Sequence, residues 1–142
     1  MKNRPGRIFP LLPLLNIYTM PSIIYIQNLD KRIKEPVPVG YCDSFACRLR
    51  GLMFRSHLPT DEGLLLVIER ESRIDSSIHM LFVSFDLAVF WINSSMEVVD
   101  KRIARSWRPA YFPIQAARYV LEIHPAHIND YEIGHKVEFQ NA

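Results

Sequence analysis

The acidic residue in the most unusual setting is Asp86, which stands near the start of the otherwise apolar run 85–92. Burial raises the pKa of a carboxyl group and disfavours its charge unless a base or several N–H donors compensate. The sequence therefore predicts either a structural carboxylate, tied to a loop or an arginine, or an acid at the rim of a cleft. Structural ion pairs produce such settings too, and the structural reading is the commoner one.

His79 and Glu122 are the side chains that could assist Asp86 in acid–base chemistry. His79 falls in the alternating run 77–83, on the face opposite the apolar side chains. A histidine titrates near neutrality and can act as a general base, but no serine or cysteine nucleophile motif adjoins this one. We therefore predict a half-buried histidine bonded to backbone. Glu122, in the run 118–123, is predicted to point outward, and it is the second carboxylate that an acid–base mechanism would need.

Histidine spacing gives no metal prediction. Only two residues separate His124 from His127, but a metal site needs three or four ligands in a set geometry. Pro125 breaks any helical face that the two histidines would share. We interpret both as solvated loop histidines and predict no metal and no cofactor. The sequence also lacks the G-x-S-x-G, phosphate-loop and H-E-x-x-H motifs.

Charge gives little support to nucleic-acid binding. The chain has 17 basic and 15 acidic residues, but residues 1–19 hold three of the basic ones and no acidic one, so the remainder is nearly neutral. A nucleic-acid-binding domain usually carries a basic surplus. Basic and aromatic side chains do interleave between positions 101 and 112, where we expect Trp107 and Tyr111 to close one end of the fold beneath the arginines. This group comprises Lys101, Arg102, Arg105, Trp107, Arg108, Tyr111 and Phe112.

The two cysteines, Cys42 and Cys47, bear on the compartment. They cannot build the multi-bridge framework of a small secreted fold, and their C-x4-C spacing differs from the C-x2-C knuckle of zinc sites. We interpret them as reduced thiols of a cytoplasmic protein, with a disulfide between them as the alternative.

Residues 1–19 resemble a signal peptide in their basic start and short apolar run. Two prolines interrupt the run, and no small-residue cleavage site follows it. We interpret this segment as a disordered leader, or as a start assigned too early, ahead of Met20. No run in the chain approaches the roughly 18 apolar residues of a membrane-spanning helix.

The elements that must position these residues are mostly strands, indicated by β-branched and aromatic runs. Pro36 and Pro38 assign one run to a sheet edge, because proline has no N–H to donate. The apolar run 85–92 is predicted to be a central strand, joined to 97–103 by a hairpin. The predicted strands are 22–27, 32–39, 64–68, 77–83, 85–92, 97–103, 118–123 and 137–139.

One helix is predicted from a cap at Asp43 or Ser44 to about Phe54. Its apolar residues, at helical spacing, form one stripe. Gly51 lies inside the stripe and predicts either an early end or close packing against bare backbone. A second short helix is predicted over 127–133, closed by Gly134 in a left-handed conformation. The stripe consists of Phe45, Leu49, Leu52 and Met53.

The predicted fold is mainly β: an antiparallel β-sandwich or jelly-roll-like barrel of about eight short strands with one or two short helices. The length of 142 residues indicates a single domain, which we place at residues 20–142. Hydrophobic residues make up 49% of the chain, which excludes gross disorder.

Residues 48–55 read RLRGLMFR, and this element resembles the R-x-x-GLMfR motif of the bacterial and archaeal family catalogued as domain of unknown function 192. Further elements resemble that family in the same order, over roughly residues 22–140. They are Gly63-Leu64-Leu65-Leu66, the apolar run that leads into Asp86, Val120-Leu121-Glu122, and Gly134 before the last strand. The resemblance implies a compact, mostly β fold similar to a jelly roll, and no established activity. It also implies structural roles for Arg48, Gly51, Leu52, Met53, Phe54 and Gly134.

Two positions depart from the family pattern. Many members have Trp-Met-Lys-Asn-Thr where this chain has HMLFV at residues 79–83, and many have Gly-Asp where it has Gly134-His135. Roles of those polar residues are therefore not carried over. Arg55 matches the last motif position, and we predict that it pairs with Asp86. Removing one member of a buried pair typically costs about 3–5 kcal/mol.

We predict a non-catalytic β module whose shallow cleft binds a ligand or a partner protein, with Arg55, Asp86, His79 and Glu122 at the cleft or in a buried ion pair. The alternative is a hydrolase-like enzyme acting on a saccharide or another polar metabolite, with Asp86 as acid or base and Arg55 and His79 assisting. Asp86 oxygens that face a pocket favour ligand chemistry. Oxygens that are sealed from solvent and bonded to backbone N–H groups remove the enzyme case for that residue.

Overall fold

Seven strands and one short α-helix follow one another in the computed structural model, which describes residues 22–142. A 3-10 turn, Pro125–His127, precedes the last strand. Residues 1–19 and the boundary at Met20 lie outside the described residues. The elements are β1 (Ile23–Asn28), β2 (Val39–Cys42), α1 (Phe45–Arg50), β3 (Gly63–Ser72), β4 (Leu87–Ile92), β5 (Val98–Ala104), β6 (Ala117–Ile123) and β7 (Val137–Asn141).

All seven strands belong to one curled sheet with the order β5-β4-β6-β3-β2-β1-β7. Neighbouring strands are antiparallel except β2 and β3, which run parallel with Gly40 opposite Leu64. The edge strands approach each other at one end, where the Val98 N–H donates to the His135 carbonyl over 2.9 Å. The sheet is thus a half-barrel. The mainly β prediction is confirmed, whereas the sandwich or jelly roll and the eight strands are not.

Both faces of the inner part of the sheet are buried, which gives the molecule two apolar cores. One core lies inside the curl and contains Phe90 and Leu121. The other contains Trp91 and is covered by the region of α1 and the segments that flank β4 and β5. The Trp91 indole N–H donates to the Ser76 carbonyl over 2.7 Å, so the largest buried side chain is also satisfied. Every residue of β4 is buried, which confirms the predicted central strand and its hairpin with β5.

Two predicted strands are wrong. Residues 32–39 form no strand before Val39, since the prolines at 36 and 38 cannot donate to a ladder. Residues 77–83 also form no strand; Ile78 makes only an isolated bridge to Tyr111. In addition, β3 extends to Ser72, four residues beyond the end of the predicted strand 64–68.

The helix α1 begins at the predicted cap and ends one turn early. The Ser44 hydroxyl accepts the Cys47 N–H over 3.1 Å, and Gly51 ends the helix with φ +46°. Leu52 is buried, but Phe45 and Leu49 are exposed, so the residues of the predicted stripe do not form one continuous helical face. Gly134 has the predicted left-handed conformation, with φ +95°, although the expected helix over 127–133 is absent from the described residues.

Cys42 and Cys47 form a disulfide, so the prediction of two reduced thiols is wrong and its alternative holds. Cys42 is buried at the end of β2, and Cys47 lies in α1. The bond therefore fastens the helix to the sheet. Among residues 22–142, no helix has the length and apolar character needed to span a bilayer.

Candidate functional site

A cavity of about 60 Å³ lies between the α1 region and the sheet face that carries Trp91. Segments 49–53 and 78–87 supply most of its wall, which is partly apolar and partly polar. Five polar side chains belong to this wall: Arg48, Arg50, Ser77, His79 and Glu122. A volume of this size accommodates about two water molecules or one small polar group.

Glu122 is the buried acid of this cavity. It lies on β6, opposite Leu64 of β3 and Val89 of β4, and is 5% exposed. The predicted outward orientation is wrong, because the loop at Gly51 and its neighbours cover this face of the sheet. Burial raises the pKa of Glu122 to about 7. Within residues 22–142, no hydrogen bond or ion pair reaches its carboxylate.

His79 contributes a second unsatisfied group to the same cavity. Its Nδ1 atom is buried and has no hydrogen-bond partner in the described part of the chain. The predicted bond from His79 to backbone is therefore not formed at this atom. The structure thus brings together two of the four predicted site residues, His79 and Glu122, around one small volume.

The motif residues build the wall of the cavity opposite the sheet. The Arg48 Nη1 atom donates to the Asp43 carbonyl over 2.6 Å and to the Val67 carbonyl over 3.0 Å, which joins α1 to β3. Gly51 turns the chain beside the Glu122 carboxylate, and its positive φ disfavours any side chain there. Leu52 and Met53 complete the wall. Phe54 points outward instead, and Gly134 lies elsewhere, before β7.

A larger groove of about 460 Å³ adjoins the cavity. Arg48, Ser77 and His79 line both spaces. Exposed Phe45 and Leu49 form an apolar lip on the helix side. Charged residues of both signs lie along the groove: Glu69, Arg70 and Asp75.

Asp86 and Arg55 lie outside both spaces, and the predicted ion pair between them does not form. Asp86 binds the Arg105 guanidinium over 2.8 Å, and its other oxygen accepts the Ser106 N–H over 2.9 Å. The Ser106 N–H and Arg105 hold the pKa of Asp86 below its usual value. Arg55 binds Glu62 over 2.6 Å. Asp86 therefore anchors a loop, and it lines neither of the two spaces described above.

The remaining histidine and basic clusters are bound internally. His127 contacts Asp130 and the Thr60 carbonyl, each over 2.7 Å. Over residues 22–142, no group of three or more His, Cys, Asp or Glu side chains is placed to hold a metal ion. Three of the basic residues near Trp107 pair with acids: Lys101 with Glu132, Arg102 with Asp100, and Arg105 with Asp86.

The sequence over residues 26–139 matches the family model DUF192, described as "Uncharacterized ACR". The chain belongs to DUF192. The resemblance seen in the RLRGLMFR element is thereby confirmed, and in this DUF192 protein that element forms the end of α1 and one wall of the cavity.

Relatives of this DUF192 protein bear names that assign no activity. A UPF0127 protein of Thermococcus gammatolerans is 43% identical over 84 residues, which are 59% of this chain and 53% of the relative. A UPF0127 protein of Pyrococcus abyssi is 32% identical over 116 residues, covering 80% of this chain and 96% of the relative. The matched region is thus only about half the length of the first of these proteins.

A solved structure shares the fold. A Sinorhizobium meliloti protein, described as a candidate transcription regulator, is similar with a TM-score of 0.72 and 17% identity. The similarity covers 83% of this chain and 92% of that one. At this identity it shows the fold alone.

The burial of Glu122 had a signal in the sequence that the outward prediction overlooked. Glu122 stands in the apolar run 120–123, which is typical of a strand covered on both faces. The signal indicates burial, but it does not show which segment covers the acid.

Proposed function

We propose that this DUF192 protein is a small-molecule-binding module whose ligand is amphipathic. The polar head of the ligand enters the cavity at Glu122 and His79. Its apolar body lies in the groove against Phe45 and Leu49. The observation that carries this proposal is the pair of buried, unpartnered polar groups that line one cavity.

The unpartnered groups indicate a ligand because they cost stability without one. A buried polar group that lacks a hydrogen bond destabilises a fold by about 1–3 kcal/mol. A methionine or leucine at position 122 would fill the same space without that cost. A head group that hydrogen-bonds to Glu122 and to His79 Nδ1 recovers the lost energy, and the recovered energy contributes to affinity.

The groove indicates the rest of the ligand. Exposed Phe45 and Leu49 offer apolar contact area, while the cavity beyond them admits only a small group. Mostly apolar walls with a few placed polar groups are typical of small-molecule sites. The head is expected to donate hydrogen bonds, since the Glu122 carboxylate is an acceptor when ionised.

Three compounds with one phenylbutyl body and different heads test the proposal: phenylbutylamine, phenylbutanol and phenylbutanoate. In two-dimensional NMR spectra of the full chain, the amine and the alcohol are expected to shift amide signals of residues 48–53 and 77–80. The carboxylate is expected to shift them far less, because it meets the Glu122 carboxylate. If none of the three moves these signals, or if all move them equally, the proposal is wrong.

The substitutions Glu122→Gln and Asp100→Asn provide matched variants for this test. Both replace a buried acid by its isosteric amide, but Asp100 lies outside the cavity and is hydrogen-bonded. Glu122→Gln is expected to abolish the preference for the amine over the carboxylate. Asp100→Asn is expected to retain it.

Acid–base catalysis is the second candidate function, and the same cavity favours it. A carboxyl group with a pKa of about 7 suits proton transfer at neutral pH, and His79 lines the same space. In this version Glu122, not Asp86, is the acid or base. Mass spectrometry of a bound ligand after incubation separates the two functions, since a binding module releases the ligand unchanged.

The disulfide between Cys42 and Cys47 bears on the cellular compartment in which the protein is expected to occur. Disulfides persist in oxidising compartments and in intracellular proteins of hyperthermophiles. The predicted cytoplasmic location assumed reduced thiols, so it has lost that support. Alkylation of an unreduced native extract tests it: a cytoplasmic protein of an ordinary mesophile is expected to take up two alkyl groups per chain.

A further inference from the structure

Three exposed aromatic rings meet on the surface beyond the cavity wall. Phe54, Phe82 and Trp107 come from distant parts of the chain, yet the Phe82 ring centroid lies 5.0 Å from that of Phe54 and 5.3 Å from that of Trp107. The three residues are 72%, 45% and 54% exposed, respectively. We call them the aromatic platform. The prediction that Trp107 closes one end of the fold is wrong, whereas Tyr111 is buried.

The backbone at the platform is strained. Phe54, Phe82 and Trp107 have φ values of 63°, 60° and 65°, in the left-handed region that bulky side chains rarely adopt. Such a conformation costs about 1–3 kcal/mol per residue and persists only where the surroundings impose it. Phe82 and Trp107 lie in turns closed by the Val83 N–H to the Met80 carbonyl and by the Arg108 N–H to the Arg105 carbonyl, as Met96 lies in the turn between β4 and β5.

Hydrogen bonds hold the platform in place. The Phe54 N–H donates to the Phe82 carbonyl, and the Trp107 N–H donates to the Met80 carbonyl, each over 2.9 Å. The rings remain largely in water, so burial of apolar area does not repay the strain. Strain that displays side chains to solvent in a fixed arrangement is typical of a binding surface.

The polar rim of the platform is fixed as well. Arg105 and Ser106, directly before Trp107, bind the two oxygens of Asp86. The Arg105 side chain is 62% exposed, which leaves donors of its guanidinium accessible to a ligand. The rim therefore presents hydrogen-bond donors and acceptors beside apolar ring faces, with little net charge.

We infer that the aromatic platform binds the pyranose rings of a neutral oligosaccharide. A pyranose presents an apolar face of C–H groups, which stacks on aromatic rings, and equatorial hydroxyls, which bond to a fixed Arg–Asp pair. Single-stranded nucleic acid also stacks on aromatic rings, but it requires a positively charged groove. Beside the three rings, Arg55 is paired with Glu62 and Arg105 with Asp86, and Arg108, next to Trp107, adds one further positive charge, which does not make such a groove.

Intrinsic fluorescence tests the inference, because Trp107 is exposed and the other tryptophan, Trp91, is fully buried. The full chain is titrated into the millimolar range with chitohexaose, cellohexaose and maltohexaose. A saturable blue shift is expected with at least one of them, since stacking removes Trp107 from water. The absence of a saturable change with all three overturns the inference.

Two alanine variants retain both tryptophans and localise the binding. Phe54→Ala is expected to weaken it by about tenfold, in line with the energy of one stacking contact. Phe112→Ala removes an exposed aromatic ring outside the platform and is expected to leave binding unchanged. Equal weakening in both variants overturns the inference, and thermal melts of each variant establish that the fold is retained.

Other occupants of the platform give different results. Tighter binding of a twelve-residue oligothymidylate than of any hexaose, or self-association that Phe54→Ala abolishes, overturns the inference. Glu122→Gln is expected to leave saccharide binding unaffected, because the platform and the cavity are separate sites.

Discussion

Glu122 and Asp100 are both buried carboxylates, 5% and 4% exposed, but their surroundings differ. Asp100 accepts the backbone N–H groups of Lys101 and Ile114 and contacts the Arg102 guanidinium. Glu122 has no such partner among the described residues. A satisfied buried acid stabilises local structure, whereas an unsatisfied one costs energy that a binding site can recover.

The free energy of unfolding is expected to fall as pH rises from about 4.5 to about 7. Glu122 has a pKa near 4.5 when unfolded and about 7 when folded, so the unfolded chain ionises first and gains stability as protons are removed. The stabilising contribution of the protonated acid is complete below pH 4.5 and is lost above pH 7. The expected loss is about 3 kcal/mol.

Urea unfolding of Glu122→Gln at several pH values measures this contribution. The variant cannot ionise at position 122, so its decline between pH 4.5 and pH 7 is expected to be shallower, and at pH 8 it is expected to exceed the wild type in stability. Asp100→Asn, the control, is expected to be less stable than the wild type at pH 8. If the stability of Glu122→Gln declines between pH 4.5 and pH 7 as steeply as that of the wild type, Glu122 is not the group responsible for the decline.

Asp86→Ala is expected to cost about 1–2 kcal/mol of stability. This is less than the 3–5 kcal/mol of a buried ion pair, because the Asp86 side chain is 34% exposed and water can reach its partners. The loss arises from the Ser106 N–H and Arg105 contacts, and denaturant unfolding at neutral pH measures it. Glu62→Ala, which removes the exposed partner of Arg55, is expected to cost under about 1 kcal/mol.

At the scale of elements, α1 forms one wall of the cavity, but packing of its own side chains does not fix it in position. It has six residues, and none of them is fully buried. Its attachments are the Ser44 cap, the Arg48 hydrogen bonds to carbonyl groups and the disulfide from Cys47 to Cys42. Since so short a helix is not stable by itself, these attachments keep the cavity closed on this side.

A double variant, Cys42→Ala with Cys47→Ala, is expected to lose about 2 kcal/mol of stability, the contribution of a disulfide across so short a loop. Denaturant unfolding measures the loss. A phosphine reductant is expected to lower the free energy of unfolding of the wild type by a similar amount and to leave that of the double variant unchanged. Equal stability of the double variant and the oxidised wild type would show that the bond does not support α1.

The segment over residues 77–83 shows where alternation misleads. Ile78 and Met80 are buried, as the pattern indicates, but no neighbouring strand lies beside the segment. It crosses over the face of the sheet and buries alternate side chains there without a ladder of hydrogen bonds. Alternation of apolar and polar residues indicates that one side of a segment is buried, but a β-strand also requires a neighbouring strand for its hydrogen bonds.

At the scale of the whole molecule, β4 and β6 are neighbouring inner strands of the sheet, flanked by β5 on one side and by β3 on the other. Both are covered on two faces, and β4 is buried throughout. Hydrogen-exchange mass spectrometry is expected to find the slowest amides in β4 and β6 and faster exchange in α1 and β7. Slower exchange in α1 than in β6 would contradict this ordering.

Some features of this protein followed from local sequence alone. The apolar run before Asn93 predicted the central strand β4 and its hairpin, Ser44 predicted the start of α1, and the RLRGLMFR element predicted the family. These features depend on residues close in the chain, whose spacing fixes period, capping and turn. Mainly β character follows for the same reason.

Only the tertiary structure decided which acidic residue lies buried at the cavity. Glu122 loses its contact with water because residues 48–53, some seventy positions earlier, fold over it. Asp86 stays partly in water because Arg105, not Arg55, reaches it. The pKa and the hydrogen bonding of a carboxyl group depend on everything that surrounds it in space, and at both positions those surroundings come from distant parts of the chain.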